Sequence, residues 1–148
     1  PVNMGVGIHI GQLVLGTIGR ETRMETTVIS DTVNASARLE SLNKTYKTNV
    51  LISGAVRNEL SPNIQRFCRL IDRTQVKGKV EFLDVYEVYL SDGRELAAVK
   101  SKNKKVLASI VENYFRGNTK LAQEKLTDLE NDTSQDTVIS FWKDRLKA

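Results

Sequence analysis

The chain has 148 residues, 40% hydrophobic and 27% charged, with a net charge of +4. That length suits one domain with an appendage, no apolar run is long enough to span a membrane, and so mild a charge decides nothing about nucleic acid. A single cysteine, Cys68, excludes an internal disulfide framework and fits a reducing, cytoplasmic setting, and a single histidine, His9, argues against a His-built metal site.

Residues 2–11, Val-Asn-Met-Gly-Val-Gly-Ile-His-Ile-Gly, alternate in character, and Leu13-Val-Leu15 carries a second apolar run to Gly16. The simplest expectation is two strands joined at Gly11-Gln12. Glycines at 5, 7, 11, 16 and 19 lack the spacing of a dinucleotide fingerprint, and no Gly-Lys-Ser/Thr follows. They are expected at turns and at close backbone approaches in a sheet. His9 belongs to the strand pattern, and Arg20-Glu-Thr-Arg23 reads as a charged turn.

The next stretch, Met24 to Glu40, organises the rest. Thr26, Thr27, Val28 and Ile29 are β-branched and predict a strand. Ser30 and Asp31 then offer N-cap oxygens to a helix. At about 100° per residue, Ala35, Leu39, Leu42 and Tyr46 share one helix face, and Asn34, Arg38, Ser41 and Thr45 share another. An amide and a guanidinium one turn apart thus point away from the core-facing stripe. Their donors and fixed positive charge suit a phosphate oxygen that gains charge during reaction. A merely solvated pair on a helix surface has the same pattern.

Lys47-Thr-Asn marks a break, Val50-Leu-Ile52 a short buried strand, and Ser53 the cap of a short helix to about Leu60, ended by Ser61-Pro62. Two strands are predicted at Phe67–Val76 and Phe82–Leu90, with Cys68 a packed residue of the first. Between them Lys77, beside Gly78, can reach a polyphosphate as a point charge, with Lys79 a weaker candidate; ordinary hairpin chemistry explains both equally. Composition shifts at Ser91-Asp-Gly-Arg94, and Lys100, Lys102, Lys104 and Lys105 predict a solvated basic linker over residues 93–105, with contact to nucleic acid or to an acidic partner as the alternative. A helical tail follows over 106–148. Its three apolar stripes are Leu107/Ile110/Val111/Tyr114, Ala122/Leu126/Leu129 and Val138/Phe141/Trp142/Leu146, the last opened by a cap-rich turn at Asn131-Asp-Thr-Ser.

Asp31-Thr-Val-Asn-Ala-Ser-Ala-Arg-Leu-Glu40 resembles the signature of the class III nucleotide cyclases, Asp-x-Val-Asn-x-Ala-x-Arg followed by an acidic residue. Asp31, Val33, Asn34 and Arg38 match, while Ser36 stands where the family usually has Ala and Ser30 where it usually has Gly. Gly7-Ile-His-Ile-Gly11, Leu15-Gly-Thr-Ile-Gly19 and Val76-Lys-Gly78 are similar to three further family motifs in the same order. The resemblance spans about Val2 to Leu90. It implies an α+β fold, a mainly antiparallel sheet with packed helices, as the C-terminal part (residues 1–92) of a ferredoxin-like cyclase core whose N-terminal part is missing.

The resemblance also implies chemistry. The family converts a nucleoside triphosphate to its cyclic 3′,5′-monophosphate and pyrophosphate, and Asn34 and Arg38 stand at its transition-state positions. Thr27 stands where the family reads the purine, with Asp or Thr in adenylate cyclases and commonly Cys in guanylate cyclases, so ATP is expected over GTP. A Thr hydroxyl can accept from the adenine amine, although a plain strand residue would also be Thr. Lys77 stands where a lysine contacts substrate phosphates, and Asp31 joins the substrate-binding set. The family's Mg²⁺ or Mn²⁺ is held by two aspartates that precede the matching region, so no metal ligand is expected in this chain and the chain alone is expected to be inactive. Sites form between two catalytic domains, which implies a homodimeric parent. The rival expectation is a non-catalytic dimerisation or nucleotide-sensing module of cyclase type.

Overall fold

The structure is a computed structural model that describes residues 4–11, 22–76, 80–129 and 132–147, with the backbone alone for 22–30. The second strand expected at Leu13–Leu15, the lysines of the Val76–Val80 turn and Asn131 lie outside the described residues. Among those described, β1 (Val6–Ile8), β2 (Val50–Ser53), β3 (Cys68–Gln75) and β4 (Phe82–Val88) form one sheet in the order β1-β2-β4-β3. β1 and β2 run parallel; the β2–β4 and β3–β4 pairs are antiparallel. With its packed helices this is the expected α+β architecture with a mainly antiparallel sheet.

A long helix, α1 (Thr22–Tyr46), precedes β2 and lies close against β1. Gly7 and Gly11 make that approach possible. A Cβ on Gly7 would stand 2.3 Å from the Glu40 nitrogen, and one on Gly11 would stand 2.3 Å from Thr32 Oγ1. His9 lies just past the end of β1, with Nδ1 2.9 Å from Ser53 Oγ. Ser53 in turn caps α2 (Gly54–Glu59) by accepting from the Val56 amide. A four-residue helix, α3 (Pro62–Gln65), precedes β3.

Two local expectations are corrected. Thr26–Ile29, predicted as a strand, are helical, so Ser30 and Asp31 lie inside α1 rather than capping it. β-propensity takes effect through cross-strand partners, whereas a helix satisfies its own N–H and C=O groups. Residues 94–105, predicted as a solvated linker, are the first half of α4 (Arg94–Phe115). Lys100 is buried, 2.6 Å from Glu87 and 2.5 Å from Asp92, and Lys104 donates to the carbonyls of Gln65 and Arg66. A lysine run reads as solvated when its acidic partners lie elsewhere in the chain.

α4 ends before Gly117, whose φ of +84° suits a residue without Cβ. α5 (Thr119–Lys125), a 3₁₀ turn (Leu126–Asp128) and α6 (Thr137–Lys147) complete the tail. α6 is capped by Asp136, whose carboxylate accepts from the amides of Val138 and Ile139, a few residues beyond the cap-rich turn expected at Asn131–Ser134. The tail is not a separate bundle. Leu107, Ile110, Val111, Val138, Ile139 and Trp142 share one buried cluster with Leu39, Leu42 and Tyr46 of α1 and with Leu51, Ile71 and Val85 of the sheet. Ile52, Val56 and Cys68 form a smaller cluster under α2.

Candidate functional site

The site begins with the way α1 is fixed. Ala35, Leu39, Leu42 and Tyr46 are each at most 5% exposed. Burying a leucine is worth roughly 1.5–3 kcal/mol, so turning the helix by one residue would expose a stripe worth several times that. The rotation of α1 is therefore set, and it leaves Asn34 and Arg38 exposed on a separate, polar face, one turn apart. Asp31, one turn earlier, is half-buried.

Arg38 does not simply extend into water. Its Nε donates to Thr74 Oγ1 at 3.2 Å, across to β3. Thr74 lies on β3, three residues before Lys77 in the sequence, and Gln75 Nε2 donates to the Val80 carbonyl. Arg38 is thus tied to the strand that delivers the Lys77 segment. Lys77 and Lys79 themselves, and the side chain of Thr27, lie outside the described residues.

Two residues before Thr74, Asp72 joins three elements. Its carboxylate accepts from the Tyr46 hydroxyl of α1, from the Arg73 amide, and from Arg145 of α6 at 3.0 Å through each of two guanidinium nitrogens. Burial, followed by the Asp72 charge and hydrogen bond, pushes the Tyr46 hydroxyl far above its ordinary range, so it stays protonated and donates to Asp72. The Arg145 guanidinium also lies over the rings of Phe141 and Trp142, 4.5 and 4.6 Å from their centroids.

A β-bulge accounts for this geometry. Leu70 pairs with Tyr86 and Asp72 with the next residue, Val85, so Ile71 is the extra residue in β3. Before the bulge, Cys68 packs with Ile52 and Val56 under α2; after it, Asp72 and Thr74 reach α1. In a regular strand all three would share one face. The bulge carbonyl, Ile71 O, accepts from Trp142 Nε1 at 2.7 Å, so the tail is bonded directly to the irregularity. Sequence reasoning selected Asn34 and Arg38 but missed Thr74, Asp72 and Arg145, because the parity of β3 depends on a bulge that no local pattern announces.

The Mg²⁺ or Mn²⁺ that the cyclase resemblance calls for finds no ligand set here. Among the described residues, no three His, Cys, Asp or Glu side chains converge on a metal-sized site. Asp72 is committed to Tyr46 and Arg145. Among the described residues, too, no helix is long and apolar enough to cross a membrane.

The adenylate cyclase of Anabaena cylindrica is 44% identical over 88 residues, which cover 59% of this chain and 18% of that protein. The terminal-differentiation-specific adenylate cyclase of Dictyostelium discoideum is 37% identical over 102 residues, covering 68% and 5% respectively. Adenylate cyclase 1 of Rhizobium meliloti is 42% identical over 82 residues, covering 55% and 12%. The matches to these relatives thus span less than a fifth of their lengths. No solved structure gives a significant match. The model of the adenylate and guanylate cyclase catalytic domain matches residues 1–91, a stretch that holds β1, the polar face of α1 and the whole sheet, and the chain belongs to that family.

Proposed function

We propose that this chain supplies the Asn/Arg part of a nucleotide cyclase site, and that the parent enzyme converts ATP to cyclic AMP and pyrophosphate. In that reaction the ribose 3′ oxygen attacks the α-phosphorus and loses its proton. The bond from the α-phosphorus to the bridging oxygen breaks, and pyrophosphate leaves. Negative charge builds on the oxygens around the α-phosphorus, and the Asn34 amide and Arg38 guanidinium are the donors assigned to it. The observation that carries this reading is the fixed exposure of both side chains on one face of a helix whose other face is locked in the core, with Arg38 tied to the strand leading to Lys77. Lys77 is assigned to the substrate phosphates, Thr27 to the adenine amine and Asp31 to the substrate-binding set. The choice of ATP is supported by relatives named adenylate cyclase and by Thr27.

Mg²⁺ or Mn²⁺ would activate the nucleophile and bind the phosphates. The described residues of this chain do not fit it, so its ligands are assigned to a second cyclase domain or another part of the parent, in a homodimeric arrangement. By itself the chain is expected to give no cyclic AMP. Mixed with a cyclase domain that has the metal ligands but lacks a functional Asn/Arg pair, it should restore one composite site.

The decisive experiment is kinetic. In the catalytically competent enzyme, Arg38→Ala and Asn34→Ala should each lower kcat by about a hundredfold to a thousandfold and leave KM for ATP nearly unchanged, because the stabilisation is confined to the transition state. Lys77→Ala, which removes a ground-state phosphate contact, should mainly raise KM. An Arg38→Ala enzyme with kcat within about twofold of wild type would remove α1 from the catalytic role.

A further inference from the structure

We propose that Thr74 is a positioning residue for Arg38, setting the direction in which its guanidinium meets the substrate. This rests on the catalytic reading of Arg38. An arginine on an exposed helix face has many rotamers, and a transition-state contact requires that most of them be given up beforehand. Thr74 supplies that restraint from an unusually fixed point. It is 7% exposed, it follows the Ile71 bulge, and Asp72, two residues earlier, is held from α1 by Tyr46 and from α6 by Arg145. A hydroxyl is suited to the task because it accepts a hydrogen bond from the guanidinium without neutralising it. A carboxylate there would form an ion pair and compete with phosphate for the same cation. The contact also engages Nε alone, so neither terminal nitrogen is consumed by Thr74. Those two nitrogens and Nε form the planar fork with which an arginine meets phosphate oxygens.

The test compares variants in the catalytically competent enzyme. Thr74→Val keeps the shape and the β-branched character and deletes the acceptor. Thr74→Ser keeps the hydroxyl. The valine variant should lower kcat by about 3- to 10-fold, the range of one lost neutral hydrogen bond, with KM for ATP within about twofold of wild type. The serine variant should restore kcat to within about twofold of wild type. In an Arg38→Ala background the valine substitution should have no further effect, since the side chain it orients is gone. In the chain as it stands, NMR relaxation of the Arg38 Nε–H should report a more mobile guanidinium in Thr74→Val and not in Thr74→Ser. Thr74→Cys, a weak acceptor of smaller volume, gives the same direction should the valine variant fold poorly. Wild-type kcat in Thr74→Val, or an equal loss with and without Arg38, would overturn the assignment of Thr74 while leaving that of Arg38 intact. If Arg38→Ala itself leaves kcat unchanged, the reading beneath both is the one that fails.

Discussion

Arg38 and Arg69 are the same residue type on neighbouring elements, used in opposite ways. Arg38 is exposed and, among the described residues, donates one neutral hydrogen bond, to Thr74. Arg69, on β3, has no exposed surface. Its Nε and Nη2 stand 2.7 Å from Glu87 of β4, and its guanidinium binds Asp136 at the head of α6 through two nitrogens at 2.7 and 2.8 Å. Lys100 of α4 extends the cluster from Glu87 to Asp92. The comparison separates two uses of cationic charge. A cation already balanced by two carboxylates joins sheet to tail and has little left for a substrate. A cation held by a hydroxyl keeps its charge for one that arrives later. The most heavily bonded arginine is therefore not the candidate for catalysis.

The largest effect should come from breaking the balanced member. Arg69→Met fits an unbranched apolar side chain into the space but leaves Glu87 and Asp136 buried without their shared cation. Removing one partner of a buried ion pair typically costs about 3–5 kcal/mol, a large part of the stability of a domain of this size. Urea denaturation of the chain followed by circular dichroism should show the midpoint falling accordingly. A loss below about 1 kcal/mol would mean that the cluster is solvated and the contrast with Arg38 is false.

An intermediate effect, with a defined pH window, belongs to Asp136. Burial works to raise its pKa, but the Arg69 hydrogen bonds and charge, the Lys100 charge and the Ile139 amide outweigh it and hold the carboxyl below its ordinary range. The folded pKa thus lies below the unfolded value of about 3.9, so the unfolded chain binds the proton first as pH falls. The stability that Asp136 contributes is fully present above about pH 4–5 and is lost as pH drops through the folded pKa. Asp136→Asn should cost about 1.5–3 kcal/mol at neutral pH, the range for a hydrogen bond to a charged group. It should also flatten the acid limb of stability against pH. An unchanged acid limb in the asparagine variant would show that Asp136 does not link folding to protonation.

The two arginines also differ in how far the sequence reveals them. The exposed face of α1 was legible because helical period is a local property: Ala35, Leu39, Leu42 and Tyr46 recur at the spacing that buries them, and Asn34 and Arg38 fall on another face. β2, the Ser53 cap, β3, β4 and the three tail stripes were legible for the same reason. What was hidden depends on partners far along the chain. Lys100 read as solvated because Glu87 and Asp92 come from β4 and its following turn. The faces of β3 were hidden by the Ile71 bulge, and with them the pairing of Thr74 with Arg38. The helical state of Thr26–Ile29 ran against local β-propensity, which only a neighbouring strand can realise. In the site itself, the residue types assigned to chemistry were evident, and the residues that orient them were not.

The smallest expected effect is the most discriminating. Arg38→Met makes the substitution proposed at Arg69, now on an exposed helical position. It removes one neutral hydrogen bond and no ion pair to either carboxylate of the buried cluster, and methionine has about the same helix propensity as arginine. Surface substitutions of this kind stay within about 0.5 kcal/mol, so the urea midpoint of the chain should be indistinguishable from wild type. Thr74 Oγ1 loses its donor, but its own O–H can rotate to another acceptor, so no stranded charge is left behind. If Arg38→Met instead cost as much as about 2 kcal/mol, Arg38 would belong with Arg69 among the residues that hold the fold together. A turnover defect in its variants would then reflect a damaged scaffold rather than a missing transition-state contact. An unchanged midpoint together with a large fall in kcat is the combination that only an arginine reserved for the substrate produces.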